Sequence, residues 1–235
     1  MNITEMIRRK RFAPGKGVTE PPPEKGLKLF FFLLGIHFWK LVKLNLLFLA
    51  FSIPVVTIPA ALCGMNRVLI KLVREGNCFL WAEFIKEFKA NVLKGLPFGI
   101  LQAFLLFDAY YLLSLSTSAA NGFELISGTL GFLCTGFAIL FFGYVYVLLP
   151  TLSLPNRYIA KNALILMSIE WKTNFVMLGA VLIMGLFTLA FFPYTLFFSV
   201  FITVALTQMI VCTAVNGPLQ KRIIGPYEER QKEGN

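Results

Sequence analysis

The sequence is short of charged residues. Only 14% of its 235 residues are Asp, Glu, Lys or Arg, whereas an ordinary soluble domain carries about 25%. Apolar residues make up 57% of the chain, and the mean hydropathy is +0.72. This composition excludes a disordered or fibrous chain and argues strongly against a soluble enzyme. It favours a single membrane-embedded unit.

Residues that usually carry catalysis or bind metal are also scarce. There is one histidine, His37, so any Ser-His-Asp triad or multi-histidine metal site has to use it. The cysteines are widely spaced and show no paired-ligand pattern; they are Cys63, Cys78, Cys134 and Cys212. No Gly-rich phosphate-binding loop is present, so the chain cannot power transport with ATP by itself. We therefore expect no enzymatic activity, no cofactor and no bound metal.

Basic residues are missing from two long stretches. The 22 Lys and Arg residues give a formal net charge of +10, yet none lies within 95–156 or within 173–220. Each gap has room for two membrane-crossing helices of about 20 residues. The first gap divides at a small-residue loop, 116–122, and the second divides at 191–194. Four spans are therefore predicted, near 96–115, 125–149, 174–192 and 194–214.

The uncharged stretch 44–65 is interrupted by Pro54 and Pro59. A single crossing would place the basic clusters before and after it on opposite sides of the membrane, against the positive-inside rule. A helical hairpin keeps both clusters on one side, and we prefer it to the single span. The hairpin predicts two further spans, near 38–53 and 60–73.

Together these patterns predict an all-α polytopic integral membrane protein of about six transmembrane helices, with both termini cytoplasmic. A basic cytosolic tail is expected at 1–27, a transmembrane domain at 28–216 and a charged cytosolic tail at 217–235. The first tail lacks the apolar core of a cleavable signal peptide.

The tryptophans and two cytoplasmic connections indicate where the membrane boundary lies. Trp39, Trp81 and Trp171 each lie in or beside a basic cluster, and Trp favours the membrane–water interface. We interpret them as cytoplasmic interfacial anchors. Segment 79–93 has apolar residues at helical spacing and predicts an amphipathic helix lying at this interface, with 156–171 as a less clearly sided second one.

The helix predicted at 79–93 is also the candidate docking element for a partner chain. Its apolar residues, including Phe84 and Phe88, are expected to hold it to the bilayer. The charged residues that would then face the cytosol are Glu83, Lys86, Glu87 and Lys89. The alternative is that this helix only anchors the turn between two spans, and both interpretations stay open.

Asp108 is the one acidic residue inside the four spans predicted from the charge gaps. An ionisable residue at that depth indicates a functional site by default, here a contact for a proton, a cation or a sugar hydroxyl. The alternative is a structural pair with Tyr144, Tyr146 or Gln208, or a protonated carboxyl.

Asn45 and Gln208 join Asp108 in the candidate intramembrane polar site. For Asn45, Gln102 and Gln208 we expect interhelical hydrogen bonds, each contributing about 1 kcal/mol.

Residues 41–62 carry a recognisable pattern. Lys43 precedes a Leu-Asn-Leu-Leu core at 44–47, a Pro-Val-Val-Thr turn follows at 54–57, and a Pro-Ala pair follows at 59–60. This pattern resembles the YesL family of bacterial membrane proteins.

The resemblance extends over about residues 28–110, although Ile58 stands where the family often has Gly. It implies a multi-span protein of the cytoplasmic membrane of Gram-positive bacteria, commonly encoded near carbohydrate-utilisation and sugar-importer genes and without an established activity. It names no catalytic residue.

The function that the resemblance implies is a non-catalytic, accessory or assembly subunit of an ABC-type sugar importer. The expected partners are the lipid bilayer and the permease and ATPase subunits of the importer, with no nucleic acid. The alternative is an autonomous channel or proton-coupled carrier that uses Asp108.

Overall fold

The computed structural model describes residues 27–116 and 121–226, within which no β-strand is present. The predicted tail at 1–27 lies outside the described residues except for residue 27, and the tail at 217–235 is described as far as residue 226. The helices are α1 Leu27–Phe51, α2 Ile58–Glu75, α3 Leu80–Ser114, α4 Gly122–Leu148, α5 Asn156–Ile169, α6 Trp171–Ala190, α7 Tyr194–Phe198 and α8 Val204–Leu219.

Six helical stretches are long and apolar enough to cross a membrane, which confirms the predicted all-α, six-helix architecture. They are Phe30–Phe51, Val55–Glu75, Leu80–Ser114, Gly122–Leu148, Trp171–Ala190 and Val200–Ile224. The last of these combines α8 with two π-helical turns, Ser199–Thr203 and Gln220–Ile224.

The predicted hairpin at 44–65 is confirmed, because α1 ends before the prolines and α2 begins between them. The turn is closed by Thr57, whose Oγ1 donates to the carbonyl oxygens of Phe51 and Pro54, at 2.6 Å in each case. Pro59 lies in the first turn of α2, where its missing N–H would have no helical partner in any case. Each proline thus occupies a position where it does not break a helix.

Polar contacts join the helices at one end of the bundle, which we call the basic end. These contacts are His37–Gly76, Lys71–Glu83, Arg74–Asn216, Asn156–Lys94 and Arg222–Glu170. The basic residues before and after the hairpin therefore share one end. The loops at 52–57 and 191–193 follow helices that run away from it, so they lie at the opposite end. That the basic end faces the cytoplasm stays a prediction of the positive-inside rule.

α1 is kinked at His37, whose φ of −110° and ψ of 17° are not helical. The kink falls where the predicted span begins, at residue 38. The His37 side chain is buried, and its Nε2 donates to the carbonyl oxygen of Gly76 at 2.7 Å. Gly76 ends α2 in the left-handed conformation, with φ 70°, which glycine adopts without strain. The single histidine thus ties the kink to the α2–α3 turn.

α3 is one continuous helix of 35 residues, although the sequence predicts an interfacial helix at 79–93 and a separate span from 96. At about 1.5 Å per residue it is about 52 Å long, well beyond the roughly 30 Å hydrocarbon core. Pro97 lies inside the helix without ending it. The extended packing of α3 against α2 accounts for this continuity.

Small residues allow α2 and α3 to approach closely. A Cβ atom added at Gly99 would lie 2.3 Å from Cγ of Pro59, and one added at Gly95 would lie 3.3 Å from Cβ of the same proline. A Cβ at Gly64 would lie 3.0 Å from the backbone oxygen of Phe84. Such small-residue contacts are typical of membrane helix pairs, where burial from water no longer drives association.

The last helix extends beyond its predicted end. The predicted span ends near 214 and is followed by Asn216, Gly217 and Pro218, yet α8 continues to Leu219 and a π-helical turn follows. The N–H of Gln220 bonds to the carbonyl oxygens of Asn216 and Gly217, so helical hydrogen bonding resumes after the proline. Arg74 also binds Asn216 through a 2.7 Å hydrogen bond from Nε to Oδ1, which fixes the extension to α2.

Candidate functional site

A small cavity of about 160 Å³ lies inside the bundle, between α2, α3, α4, α6 and α8. Its wall is mostly apolar, with Leu62, Phe142 and Met177 among the lining residues. The polar residues that line it are Gln102, Tyr146, Thr207 and Gln208. It is the place where polar side chains from three membrane helices converge.

The polar groups of the cavity differ in how well they are satisfied. The Tyr146 hydroxyl donates to Oε1 of Gln102 at 2.6 Å, and Thr207 Oγ1 donates to the carbonyl oxygen of Thr203 at 3.0 Å. Gln208 Oε1 is buried without a hydrogen-bond partner among the described residues. An unsatisfied buried acceptor costs about 1–3 kcal/mol, so this oxygen is a ready acceptor for a small donor molecule.

The size of the cavity limits what it can hold. A water molecule needs at least roughly 15 Å³ of such space, whereas pockets for drug-sized ligands measure about 300–1,000 Å³. At about 160 Å³ the cavity accommodates a few waters or a small hydroxyl compound. Amides and hydroxyls line it, so it offers hydrogen bonding without an acid or base near neutral pH.

Asn45 is not among the residues that line the cavity, and it binds Ala205, one helical turn before Gln208 on α8. Its side chain is fully buried. Nδ2 donates to the carbonyl oxygen of Val200 at 2.7 Å, and Oδ1 accepts the N–H of Ala205 at 2.8 Å. Val200 and Ala205 are five residues apart, the spacing of a direct bond in a π-helix. The Asn45 amide is therefore inserted into the hydrogen-bond ladder of the last membrane helix.

Asp108 is half-buried and is not among the residues that line the cavity. Its carboxylate makes no hydrogen bond or ion pair with any residue in the described ranges, so the expected pair with Tyr144, Tyr146 or Gln208 is wrong. Asp108 is six positions after Gln102 in the chain, which places their side chains about 120° apart around α3.

The two tyrosines have other partners. Tyr146 binds Gln102, as described above, and the Tyr144 hydroxyl donates to Oδ1 of Asn174 at 2.9 Å. The Asn174 amide in turn donates to the carbonyl oxygen of Met167 at 2.5 Å. Of the predicted intramembrane site Asp108, Asn45 and Gln208, only Gln208 is among the residues that line the cavity.

Asn66 is a buried polar residue that the sequence interpretation missed. It is fully buried, and its Nδ2 donates to the carbonyl oxygen of Tyr146 at 3.0 Å. Cys212 Sγ lies 3.5 Å from Asn66 Oδ1. Asn66 therefore joins α2 to α4 and α8. It lies inside the predicted span 60–73, so an asparagine within an apolar helix was a usable signal.

A cluster of charges connects α2 and α3 at the basic end. Lys71 Nζ lies 2.5 Å from Glu83 Oε1, and Arg67 Nε lies 3.8 Å from Glu83 Oε2 and 3.7 Å from Glu87 Oε1. Arg67 Nη1 also donates to the carbonyl oxygen of Pro150 at 3.3 Å. Because these side chains are largely shielded from water, each charge is placed beside an opposite one.

The predicted docking residues therefore divide into two pairs. Glu83 and Glu87 face α2, where Arg67 and Lys71 hold them, whereas Lys86 and Lys89 are exposed. Sequence spacing placed all four toward the cytosol, because their partners Arg67 and Lys71 are 12 or more positions earlier in the chain. The surface available at this end of α3 is thus basic.

The aromatic face of this helix is also placed differently from the expectation. Phe84 is fully buried, and its ring packs edge-on against Phe51, with ring centroids 5.5 Å apart. Phe88 lies 4.8 Å from the same ring. Both were expected to face lipid, but α1 and α2 cover them. Trp81 is 64% exposed, and it lies at the basic end.

The other candidate anchors and chemical groups are placed as follows. Trp39 and Trp171 are exposed at the basic end.

All four cysteines are free thiols, and burial raises the pKa of the Cys78 thiol above its ordinary value. Within 27–116 and 121–226, no group of three or more His, Cys, Asp or Glu side chains is placed to hold a metal ion.

Comparison with known proteins adds one match. Residues 41–111 match the family model described as "Protein of unknown function, DUF624", the family to which YesL-type proteins belong. The matched segment contains the C-terminal part of α1, all of α2 and nearly all of α3, with Asn45, Asn66 and the Arg67–Glu83 contact. No curated protein and no solved structure matches the chain.

Proposed function

We propose that this chain is a non-catalytic protein of a bacterial cytoplasmic membrane that assists the uptake of carbohydrates or glycans. In this proposal it is an accessory or assembly subunit of an ABC-type sugar importer. Permease and ATPase subunits are its partners, and they supply the substrate path and the energy.

The observation that supports this proposal most is the hydrogen bonding of the buried polar residues within the bundle. Hydrogen bonds to other helices engage the polar groups of Asn45, Asn66 and Tyr146. These groups are therefore not free to bind a polar solute along a path. The central cavity of about 160 Å³ is smaller than the roughly 300 Å³ at which ligand pockets begin. A protein of this build acts more readily through its surface than through its interior.

The surface for a partner is the exposed side of the first turns of α3. Lys86 and Lys89 lie there without an ion pair among the described residues. They are three residues apart, so they lie on one face of the helix. The ion pairs of Glu83 and Glu87 hold the adjacent face of the helix to α2. A partner with an acidic inner-membrane surface suits this rigid basic pair.

The carbohydrate part of the proposal comes from the resemblance of residues 41–62 to the YesL family. The match of residues 41–111 to the broader family of unknown function is compatible with it and names no substrate. The identity of the substrate and of the partner therefore has to come from experiment.

Co-purification tests the proposal. The tagged full-length protein, extracted in mild detergent, should bring permease and ATPase subunits in a fixed ratio, identified by mass spectrometry. Reversing the basic pair with Lys86→Glu and Lys89→Glu should reduce their recovery about tenfold through charge repulsion. The matched control is Lys94→Glu with Lys161→Glu, two other exposed lysines, which should leave recovery unchanged. A clean homo-oligomer that moves a solute in liposomes would overturn the proposal.

Asp108→Asn separates this proposal from the alternative, an autonomous channel or proton-coupled carrier. The alternative is supported by the Asp108 carboxylate, which has no partner within the described part of the chain. We expect the substitution to change the free energy of unfolding by less than about 0.5 kcal/mol, because it breaks no contact. Solute flux in proteoliposomes and thermal unfolding are measured together. Loss of a flux that the wild-type protein sustains, with unchanged stability, would favour the carrier.

A further inference from the structure

A groove of about 670 Å³ opens at the basic end, between α1 and the start of α3. One wall consists of residues from α1, and the other comes from the α2–α3 turn and the first turn of α3. The lining residues that matter here are Lys40, Lys43, Leu46, Leu47, Phe79 and Trp81. The volume lies within the roughly 300–1,000 Å³ range of ligand pockets.

The groove carries positive charge. Lys40 and Lys43 are three residues apart on α1, so their side chains project on one face. Lys43 is exposed and makes no ion pair with any described residue. Lys40 donates a hydrogen bond to the neutral side chain of Asn77, so its charge is not cancelled.

No acidic residue is among those described as lining the groove. The nearest acids are engaged elsewhere or lie outside it. Glu83 is paired with Lys71 at 2.5 Å, and Glu75 is an exposed residue in the last turn of α2. An anion is therefore the ligand that the groove attracts.

The polarity of the groove changes along α1. Leu47 lies about 6 Å deeper along the helix axis than Lys43, at 1.5 Å per residue, so charge gives way to apolar surface within about one turn. On the facing wall, Phe79 is 85% exposed and Trp81 is 64% exposed. Aromatic side chains of this kind prefer the level of the lipid headgroups. A soluble anion would use only the charged part of this surface.

We propose that this groove is a binding site for an anionic phospholipid. The phosphate lies between the ammonium groups of Lys40 and Lys43, and one acyl chain follows Leu46 and Leu47. Trp81 borders the headgroup region. Basic pockets between membrane helices on the cytoplasmic side commonly bind such headgroups. The site does not depend on the importer proposal, because it requires only the membrane itself.

Native mass spectrometry of the purified full-length protein tests the site. The protein in neutral detergent is titrated with phosphatidylglycerol or with phosphatidylcholine of the same acyl chains. Phosphatidylglycerol should bind at least about fivefold more tightly. Lys40→Gln with Lys43→Gln should weaken it about 10- to 30-fold, whereas Lys40→Arg with Lys43→Arg should retain it. Lys94→Gln with Lys161→Gln removes the same charge elsewhere and should have little effect.

Three results would overturn the proposal. Equal affinity for the two lipids would mean that the groove recognises only acyl chains. Equal losses in the Lys40/Lys43 and Lys94/Lys161 variants would mean that binding follows overall charge. Full competition by soluble glycerol phosphate would identify a site for a free anion. Lys43→Gln alone, at an exposed position, preserves the test if the double variant unfolds, since it should still weaken phosphatidylglycerol binding several-fold.

Discussion

Asn45→Leu should destabilise the bundle by about 2–4 kcal/mol, since it leaves two backbone groups without partners. The carbonyl oxygen of Val200 and the N–H of Ala205 each bind the Asn45 amide in a fully buried position. Each unsatisfied buried group costs about 1–3 kcal/mol, and the membrane interior has no water to replace the amide. Leucine has the same number of side-chain heavy atoms and the same branching at Cγ, so the loss does not arise from a cavity.

Thermal unfolding in detergent, followed by circular dichroism or by a thiol-reactive dye, measures this effect. Asn156→Leu is the matched control, because its amide donates to the carbonyl oxygen of Lys94 at an exposed site, where water can replace it. The control should change the free energy of unfolding by no more than about 1 kcal/mol. Equal stability of Asn45→Leu and wild type would contradict this prediction. It would show that Val200 and Ala205 satisfy their backbone groups without Asn45.

Gly99→Ala should lower the free energy of unfolding by about 1–3 kcal/mol, the usual effect of overpacking a tight interface. The added Cβ would lie 2.3 Å from Cγ of Pro59. The proline ring cannot rotate away from this contact, so the α2–α3 pair has to separate. We also expect weaker binding of any partner that docks on α3, because its first turns are held through this pairing.

Gly179→Ala provides the control for this second prediction. It adds the same methyl group within α6, where nothing lies within 4 Å of the new Cβ. Alanine favours helix by about 1 kcal/mol relative to glycine, so this variant should be as stable as wild type or slightly more stable. The unfolding midpoints of the two variants are compared under identical detergent conditions. A Gly99→Ala variant that is as stable as Gly179→Ala would contradict the close packing described here.

The sequence alone was enough for the architecture. Spans, turns and the basic end follow from properties that are local in the chain: hydropathy over about 20 residues, gaps between basic clusters, and prolines at the hairpin. The choice of a hairpin over a single span at 44–65 needed only the positions of charge on either side. Local patterns of this kind survive folding because the bilayer imposes the same requirement on each segment separately.

Helix ends were harder to predict than helix number. The breaks expected before 96 and after 214 are absent, because α2 packs against α3 at Gly95 and Gly99, on either side of Pro97, and Arg74 binds Asn216 near the end of α8. Tertiary contacts of this kind outweigh the helix propensity of single residues. Pro97 can be read from the sequence, but the packing of α2 against α3 that keeps the helix continuous there cannot.

Only the tertiary structure decided which face each helix turns toward its neighbours. A soluble helix reveals its buried face by its apolar stripe, but lipid and protein interior are equally apolar, so a membrane helix carries little such signal. Close contacts such as Gly99 against Pro59 set the rotation of α3. That rotation turns Gln102 toward Tyr146 and leaves Asp108 outside the cavity. Asn45 and Val200, 155 positions apart, meet only because the whole bundle has packed.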